Sequence, residues 1–143
     1  MTTKKAWAVW KGGIKDGGGT ISTETGVLSE APYGFKSRFE NGKGTNPEEL
    51  IGAAHAGCFS MALSLMLGQA GFEPRRIHTT AKVHIEKVGE GFKITHIELD
   101  TEADIPRIEE RQFQEQAEAA KRGCPVSQAL AGTEITLDAR LVK

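Results

Sequence analysis

Residues 46–67 read NPEELIGAAHAGCFSMALSLML, and they form the longest apolar segment of the chain. Asn46 can cap the first free amides of a helix, Pro47 suits its first position, and Glu48 complements the positive end of the helix dipole. These signals predict a helix over residues 46–70. Because apolar side chains occur on nearly every side of this helix, we expect it to be buried all round and to form the core.

A membrane-spanning helix of about 20 residues is the alternative interpretation of this segment. Polar residues and glycines interrupt the apolar run, among them His55, Ser60, Ser64 and Gln69. We therefore favour a buried helix and expect no membrane partner. The chain begins MTTKKAW, which is charged but lacks the apolar region of a secretory signal, and this predicts a cytoplasmic protein.

The length and the net charge of the chain limit the classes of protein to which it can belong. A chain of 143 residues is typical of a single domain, here residues 1–143, with a hydrophobic core of its own. A net charge of -1 provides no basic surface for nucleic acid or anionic lipid. Two cysteines do not make a disulfide framework. In a reducing compartment they are candidates for chemistry, for metal binding or for simple burial.

The N-terminal part of the chain, about residues 1–45, predicts a small antiparallel sheet. Glycine is frequent between Gly12 and Gly19, which indicates a hairpin turn, because strand-like rather than helical residues follow. Turn-prone residues 30–33 separate the second and third strands. The three predicted strands are Lys4–Trp10, Thr20–Leu28 and Gly34–Phe39.

Downstream of the helix, apolar and polar residues alternate over a long hairpin at about residues 76–103. The apolar phase changes on the return strand, so we expect a β-bulge near Thr95 or His96. Helices follow over about residues 106–131, the first predicted for Asp104–Lys121 and the second for Cys124–Leu130, and a final strand over about 134–142. This order predicts an α+β domain with antiparallel sheets packed around the central helix.

The two sulfurs lie in different local settings. Cys58 is inside the central helix, among small residues that would let a ligand approach. Cys124 precedes Pro125 at a predicted helix N-terminus and follows Arg122, and both features lower the pKa of a thiol. Taken singly, each cysteine is more typical of an inert, buried residue.

Two further patterns leave alternatives open. His55, Cys58 and Cys124 could join in a zinc site, but such sites usually have four ligands in closer pairs, so no metal is predicted. The remaining histidines fall in strands, where an exposed imidazole needs no functional explanation: His78, His84 and His96.

A nucleophilic Cys58 would need a cation to stabilise its thiolate. Glu48 could orient an arginine through a bidentate pair, but in a straight helix it would lie about 15 Å along the axis from Cys58. Either the helix breaks near Gly52 or Gly57, or a flexible arginine bridges the gap, or a second chain contributes. The candidates are Arg38, Arg75, Arg76, Arg111 and Arg122.

The segment NPEEL at 46–50, with AAHAGCF at 53–59 and CPVS at 124–127, resembles the OsmC/Ohr family of thiol peroxidases. By this resemblance Cys58 is the peroxidatic cysteine, Cys124 the resolving one, and Glu48 the carboxylate that orients the catalytic arginine. The Ohr branch takes this arginine from the N-terminal glycine-rich loop, which here has none. OsmC-type members use the arginine before the helix, which points to Arg38.

The resemblance also implies an intertwined homodimer with active sites at the subunit interface. The implied reaction converts organic hydroperoxides to alcohols through a Cys58 sulfenic acid and a Cys58–Cys124 disulfide, which an external dithiol of the lipoyl type reduces, without metal, haem or other cofactor. A substrate entrance could be lined by Phe39, Phe59, Met61 or Phe113. The alternatives are a thiol–disulfide oxidoreductase acting on proteins, and a non-enzymatic ligand-binding stress protein with inert cysteines.

Overall fold

A computed structural model describes residues 1–142 of the chain. Its backbone divides into two compact units, Met1–Leu50 and Ile51–Lys143. Each unit contains one three-stranded sheet, so the chain has the α+β composition that the sequence predicts. The two units are described in turn.

The sheet of the first unit is antiparallel, and its strands follow one another in sequence order. The hairpin turn predicted at the glycine-rich segment is confirmed, because it connects the first two strands. The elements of this unit are β1 (Ala6–Lys11), β2 (Gly18–Thr23), β3 (Ala31–Tyr33) and the short helix α1 (Phe35–Phe39).

Two predicted strands of this unit are wrong in extent or type. The strand predicted for Thr20–Leu28 ends at Thr23, and the predicted turn at 30–33 contains β3 instead. The predicted strand Gly34–Phe39 is helical. A local hydrogen bond explains the helix, since the Gly34 N–H donates to Ser37 Oγ over 2.9 Å and thereby turns the backbone.

The central helix, α2, spans Pro47–Gln69, close to the predicted 46–70. Its predicted cap is also confirmed, because the Glu49 N–H donates to Asn46 Oδ1 over 2.7 Å. Glycines at 52 and 57 do not interrupt the helix. The helix therefore does not break at either glycine, and such a break cannot be what brings an arginine close to Cys58.

Helix α2 forms the core of the second unit on one face only. Phe59, Leu63 and Leu67 are fully buried, which agrees with a core helix and corrects the expectation of burial on all sides. The opposite face is exposed in the single chain, with Met61 at 77% and Leu65 at 61%. The helix is long and apolar enough to cross a membrane by length and composition alone. Its buried face identifies it as the core helix of a soluble fold.

In the second unit the predicted hairpin is confirmed as β4 (Arg76–Val88) and β5 (Gly91–Asp104). The predicted bulge is confirmed as well. The pairing changes from His84 with His96 to Ile85 with Ile94, so Thr95 is the extra residue of β5.

The last strand, β6 (Glu134–Leu141), pairs parallel to β5, whereas the sequence predicted antiparallel sheets throughout. Helices α3 (Glu110–Gly123) and α4 (Pro125–Ala129) lie between the two strands. A crossover of this length is what parallel neighbours require. The first of these helices begins later than predicted, because Asp104 ends β5 and Arg107 has a φ of 70°.

Candidate active site

The second unit brings the two cysteines together from segments far apart in the sequence. Cys58 lies midway along α2, and Cys124 occupies the junction where α3 ends and α4 begins. Both are free thiols, Cys58 half-buried and Cys124 fully buried. The thiols are within hydrogen-bonding range of each other. Two thiols this close together are candidates for a redox pair.

The surroundings of Cys58 act on its pKa in opposite directions. Burial raises the pKa of the thiol most, the hydrogen bond with Cys124 raises it further, and the backbone N–H of Val126, which donates to the sulfur, lowers it. The net shift is upward. Within one chain, Cys58 is therefore held mainly as a thiol rather than as the reactive thiolate.

A buried histidine and serine connect the segments that carry the cysteines. His55 Nε2 lies 2.7 Å from Ser127 Oγ. Burial lowers the pKa of His55 and keeps the imidazole neutral. His55 Nδ1 is buried and has no partner among the described residues. Both residues lie in the motifs that carry the family resemblance, but the sequence suggested a role for His55 only as a metal ligand and none for Ser127, which lies 72 residues further along the chain.

In the first unit, Arg38 and Glu48 form the bidentate pair that the sequence suggested. Arg38 Nε lies 3.2 Å from Glu48 Oε1, and Arg38 Nη2 lies 3.2 Å from Glu48 Oε2. Glu48 is nearly buried, whereas the Arg38 side chain is 41% exposed. The buried carboxylate thus fixes a guanidinium whose outer side is accessible to a ligand.

An apolar pocket of about 270 Å³ adjoins Arg38 within the first unit. Aromatic rings form its walls: Trp10 and Tyr33 meet edge-on at 5.5 Å, and Phe35 and Phe39 lie 5.2 Å apart. Of the four residues predicted to line an entrance, only Phe39 lines this pocket. The predicted Phe59 and Phe113 are core residues, and Met61 lies on the exposed face of α2.

The other candidate arginines lie on exposed parts of the second unit. Arg75 pairs with Asp104, Arg111 with Glu115 and Arg122 with Glu118, at 3.8, 3.5 and 4.0 Å, and each of these guanidinium groups is largely exposed. Arg76 is an exposed residue at the start of β4.

Comparison with known proteins identifies the family of the chain. The sequence profile of the OsmC-like protein family matches residues 40–139. Peroxiredoxin OsmC of Escherichia coli K12 is 61% identical over 138 residues, which cover 96% of both chains. Organic hydroperoxide resistance protein OhrB of Bacillus subtilis is 30% identical, over 80% of this chain and 82% of its own.

Solved structures resemble the chain over nearly its whole length. The crystal structure of OhrB from Bacillus subtilis superposes with a TM-score of 0.68 at 26% identity, covering 96% of this chain and 98% of its own. An OsmC-like protein from Mycoplasma pneumoniae gives a TM-score of 0.77 at 16% identity, covering 99% of both chains, which indicates the shared fold. The chain therefore belongs to the OsmC family.

Proposed function

We propose that this chain, a thiol-dependent peroxidase of the OsmC family, reduces organic hydroperoxides to alcohols with Cys58 and Cys124 as its redox pair. The observation that carries the proposal is the contact between the half-buried Cys58 thiol and the fully buried Cys124 thiol. A peroxide can reach the half-buried Cys58 sulfur. The fully buried Cys124 sulfur is then available to react with the oxidised Cys58.

In the proposed cycle, the Cys58 thiolate attacks the distal oxygen of the hydroperoxide. The O–O bond breaks, the alcohol leaves with a proton, and the sulfur is oxidised by two electrons to a sulfenic acid. The Cys124 sulfur then attacks the Cys58 sulfur, water leaves, and a disulfide forms. An external dithiol, which we propose to be of the lipoyl type, reduces this disulfide and restores both thiols. No cofactor takes part in these steps.

Activation of Cys58 needs positive charge beyond its immediate neighbours. Burial and Cys124 raise the pKa of Cys58, and only the single N–H of Val126 opposes them. Arg38, oriented by Glu48, is the guanidinium that we assign to this role. Both the attack on the peroxide and the release of alkoxide develop negative charge that a guanidinium stabilises.

We further propose that Arg38 acts on Cys58 of a second copy, in a homodimer. The exposed face of α2 supports dimer formation, since it presents a stripe of small and apolar residues that one chain leaves in water: Ala53, Gly57, Met61 and Leu65. Small residues on such a stripe allow two helices to approach closely, and burying the stripe is favourable.

The preference for organic over inorganic peroxide rests on the aromatic pocket beside Arg38. Its walls of Trp10, Tyr33, Phe35 and Phe39 would bury the apolar part of an organic hydroperoxide next to the guanidinium. Hydrogen peroxide has no apolar part, so this pocket would not stabilise its binding in the same way. The function proposed for the protein is therefore defence against organic hydroperoxides in the cytoplasm.

The alternatives considered from the sequence receive less support. A thiol–disulfide oxidoreductase must bring a protein substrate to its sulfurs, and Cys124 is fully buried. If the protein only bound a ligand and catalysed no reaction, the contact between its two thiols would have no function.

The experiment is peroxide consumption by the purified protein with a dithiol reductant, comparing cumene hydroperoxide with hydrogen peroxide. We expect turnover to be lost in Cys58→Ser and in Cys124→Ser. The second variant should still consume about one peroxide per chain before it stops, because its sulfenic acid cannot be resolved. Full activity in Cys58→Ser, or a preference for hydrogen peroxide, would contradict the proposal.

A further inference from the structure

Two histidines and a glutamate meet on the outer face of the second sheet, among residues that the redox chemistry does not use. His84 of β4 is the register partner of His96 of β5. Their rings stack with centroids 5.4 Å apart and an interplanar angle of 24°. Glu98 Oε2 lies 3.4 Å from His84 Nε2. One donor atom from each of the three residues lies within 4.8 Å of the other two.

The strand geometry explains why these side chains converge. Residues two apart on a strand share a face, so His96 and Glu98 point the same way, away from the buried Ile97. The bulge at Thr95 interrupts the regular pairing directly beside the His84–His96 pair. Bulges redirect side chains and often occur next to functional sites.

We propose that His84, His96 and Glu98 form a binding site for a divalent first-row transition ion, with Zn²⁺ as the fitting case. Imidazole nitrogen and carboxylate oxygen are ligands that Zn²⁺ accepts in proteins. With bonds of about 2.0–2.2 Å, two donors on a tetrahedral ion lie roughly 3.4 Å apart. The His84–Glu98 separation of 3.4 Å already has this value. His96 supplies the third donor, since one donor atom from each of the three residues already lies within 4.8 Å of the other two.

Neighbouring residues complete the site. His96 Nε2 lies 3.0 Å from Thr136 Oγ1 and 3.9 Å from Glu134 Oε1. With the ion on Nδ1 of His96, its Nε2–H donates to Thr136, the second hydrogen bond that metal-bound imidazoles usually make. Glu134 is 73% exposed and its carboxylate lies on the Nε2 side of the His96 ring, so the fourth position on the ion is left to solvent. The two carboxylates would also balance the charge of the ion.

The site connects adjacent strands, and this predicts a consequence for stability. An ion that binds the folded chain and not the unfolded one raises the free energy of unfolding with its concentration. Here the ion would join β4 to β5 beside the bulge. The inference does not rest on the proposed peroxidase activity, because neither cysteine belongs to the site.

The test is titration of the chain with Zn²⁺ against a chromophoric chelator, in a background with Cys58→Ser and Cys124→Ser so that no thiol can bind the ion. We expect one ion per chain, and an affinity weakened by about tenfold or more in His84→Gln and in His96→Gln. His78→Gln is the matched control, since His78 lies on the same exposed face of β4, outside the cluster. It should bind as the background does.

A second readout is thermal unfolding with and without Zn²⁺. The melting temperature of the background chain and of His78→Gln should rise with Zn²⁺, whereas that of His84→Gln should not. The proposal is overturned if the background chain binds no Zn²⁺ at about 100 μM. It is also overturned if His84→Gln and His96→Gln bind as tightly as His78→Gln.

Discussion

His55 Nε2 lies 2.7 Å from Ser127 Oγ, so one buried contact joins the helix that carries Cys58 to the short helix that follows Cys124. His55 precedes Cys58 by three residues, and Ser127 follows Cys124 by three. A single contact of this kind holds two segments in the alignment that keeps their sulfurs within reach.

Replacing Ser127 by alanine should weaken the fold and loosen this alignment. The variant leaves both nitrogens of the buried His55 without a partner, which we expect to lower the free energy of unfolding by about 1–3 kcal/mol. Urea unfolding near neutral pH measures this. Disulfide formation after a single peroxide equivalent should also slow, with oxidation of Cys58 unaffected. Ser64→Ala, on the exposed side of α2, is the control, and equal behaviour of the two variants would refute the prediction.

His55 should also make the fold sensitive to mild acid. Burial lowers the pKa of His55 in the folded chain, while in the unfolded chain it keeps an ordinary value of about 6.5. Between those two values the unfolded chain binds more protons. Stability is therefore fully present above the unfolded pKa and falls as pH drops through this window, by at most about 1.4 kcal/mol per pH unit.

Urea unfolding of the His55→Gln variant across this pH range should show a flatter dependence than the unmodified chain. The exposed His78, replaced in the same way, serves as the control and should leave the slope unchanged. If His55→Gln keeps the full slope, the acid sensitivity arises from another group.

Removing the Cys124 thiol should make Cys58 more acidic. The hydrogen bond with Cys124 raises the pKa of Cys58, and Cys124→Ala deletes that contribution while the Val126 N–H remains. The rate of alkylation by iodoacetamide, followed against pH, should then have its midpoint at lower pH than in the unmodified chain. An unchanged or higher midpoint would show that the contact with Cys124 does not raise this pKa.

Mixing two inactive variants should test whether Arg38 acts across a dimer. If Arg38 serves the partner's Cys58, a mixed dimer of Cys58→Ser and Arg38→Ala chains contains one complete site. After subunit exchange with random pairing, peroxidase activity should return to about a quarter of the unmodified level. If Arg38 instead acts on Cys58 of its own chain, no peroxidase activity returns, since every site then lacks either the thiol or the guanidinium. Mixing Cys58→Ser with Cys124→Ser should restore nothing, because both residues belong to one chain's site.

A charge on the exposed stripe of α2 should prevent dimer formation. Met61 is 77% exposed in the single chain, so Met61→Glu costs the isolated fold little but places a carboxylate in the proposed interface. Sedimentation velocity should show a monomer, with loss of peroxidase turnover. Val88→Glu, at an exposed apolar residue near the hairpin turn, should remain dimeric. A dimeric Met61→Glu protein would place the interface elsewhere.

Local signals in the sequence were sufficient for much of the fold. The Asn46 cap predicted the start of α2, and the change in apolar phase predicted the bulge at Thr95. The parallel pairing of β6 was missed because hydrophobic alternation does not report strand direction. The helix at Phe35–Phe39 was missed because its five residues have no room for helical periodicity, and a hydrogen bond from Gly34 to Ser37 decides the conformation.

The structure contains the Arg38–Glu48 pair and the neighbouring cysteines that the sequence pointed to, and their catalytic roles stay predictions. The motifs around Cys58, Cys124 and Glu48 carried the resemblance to the family, and only that resemblance selected Arg38 among five candidate arginines. The His55–Ser127 contact joins residues far apart in the chain, so no spacing rule could find it. The His84–His96 pair follows from the hairpin register, which was left open because the bulge was predicted at either Thr95 or His96.

The parallel pairing of β6 with β5 has a consequence for synthesis on the ribosome. Cys58 leaves the exit tunnel long before the C-terminal strand, and the crossover that carries Cys124 is closed only when that strand pairs with β5. During this interval the nascent chain has one thiol without its partner. A sulfenic acid formed on Cys58 in this interval has no positioned Cys124 to resolve it, so it is open to further oxidation to the sulfinic acid.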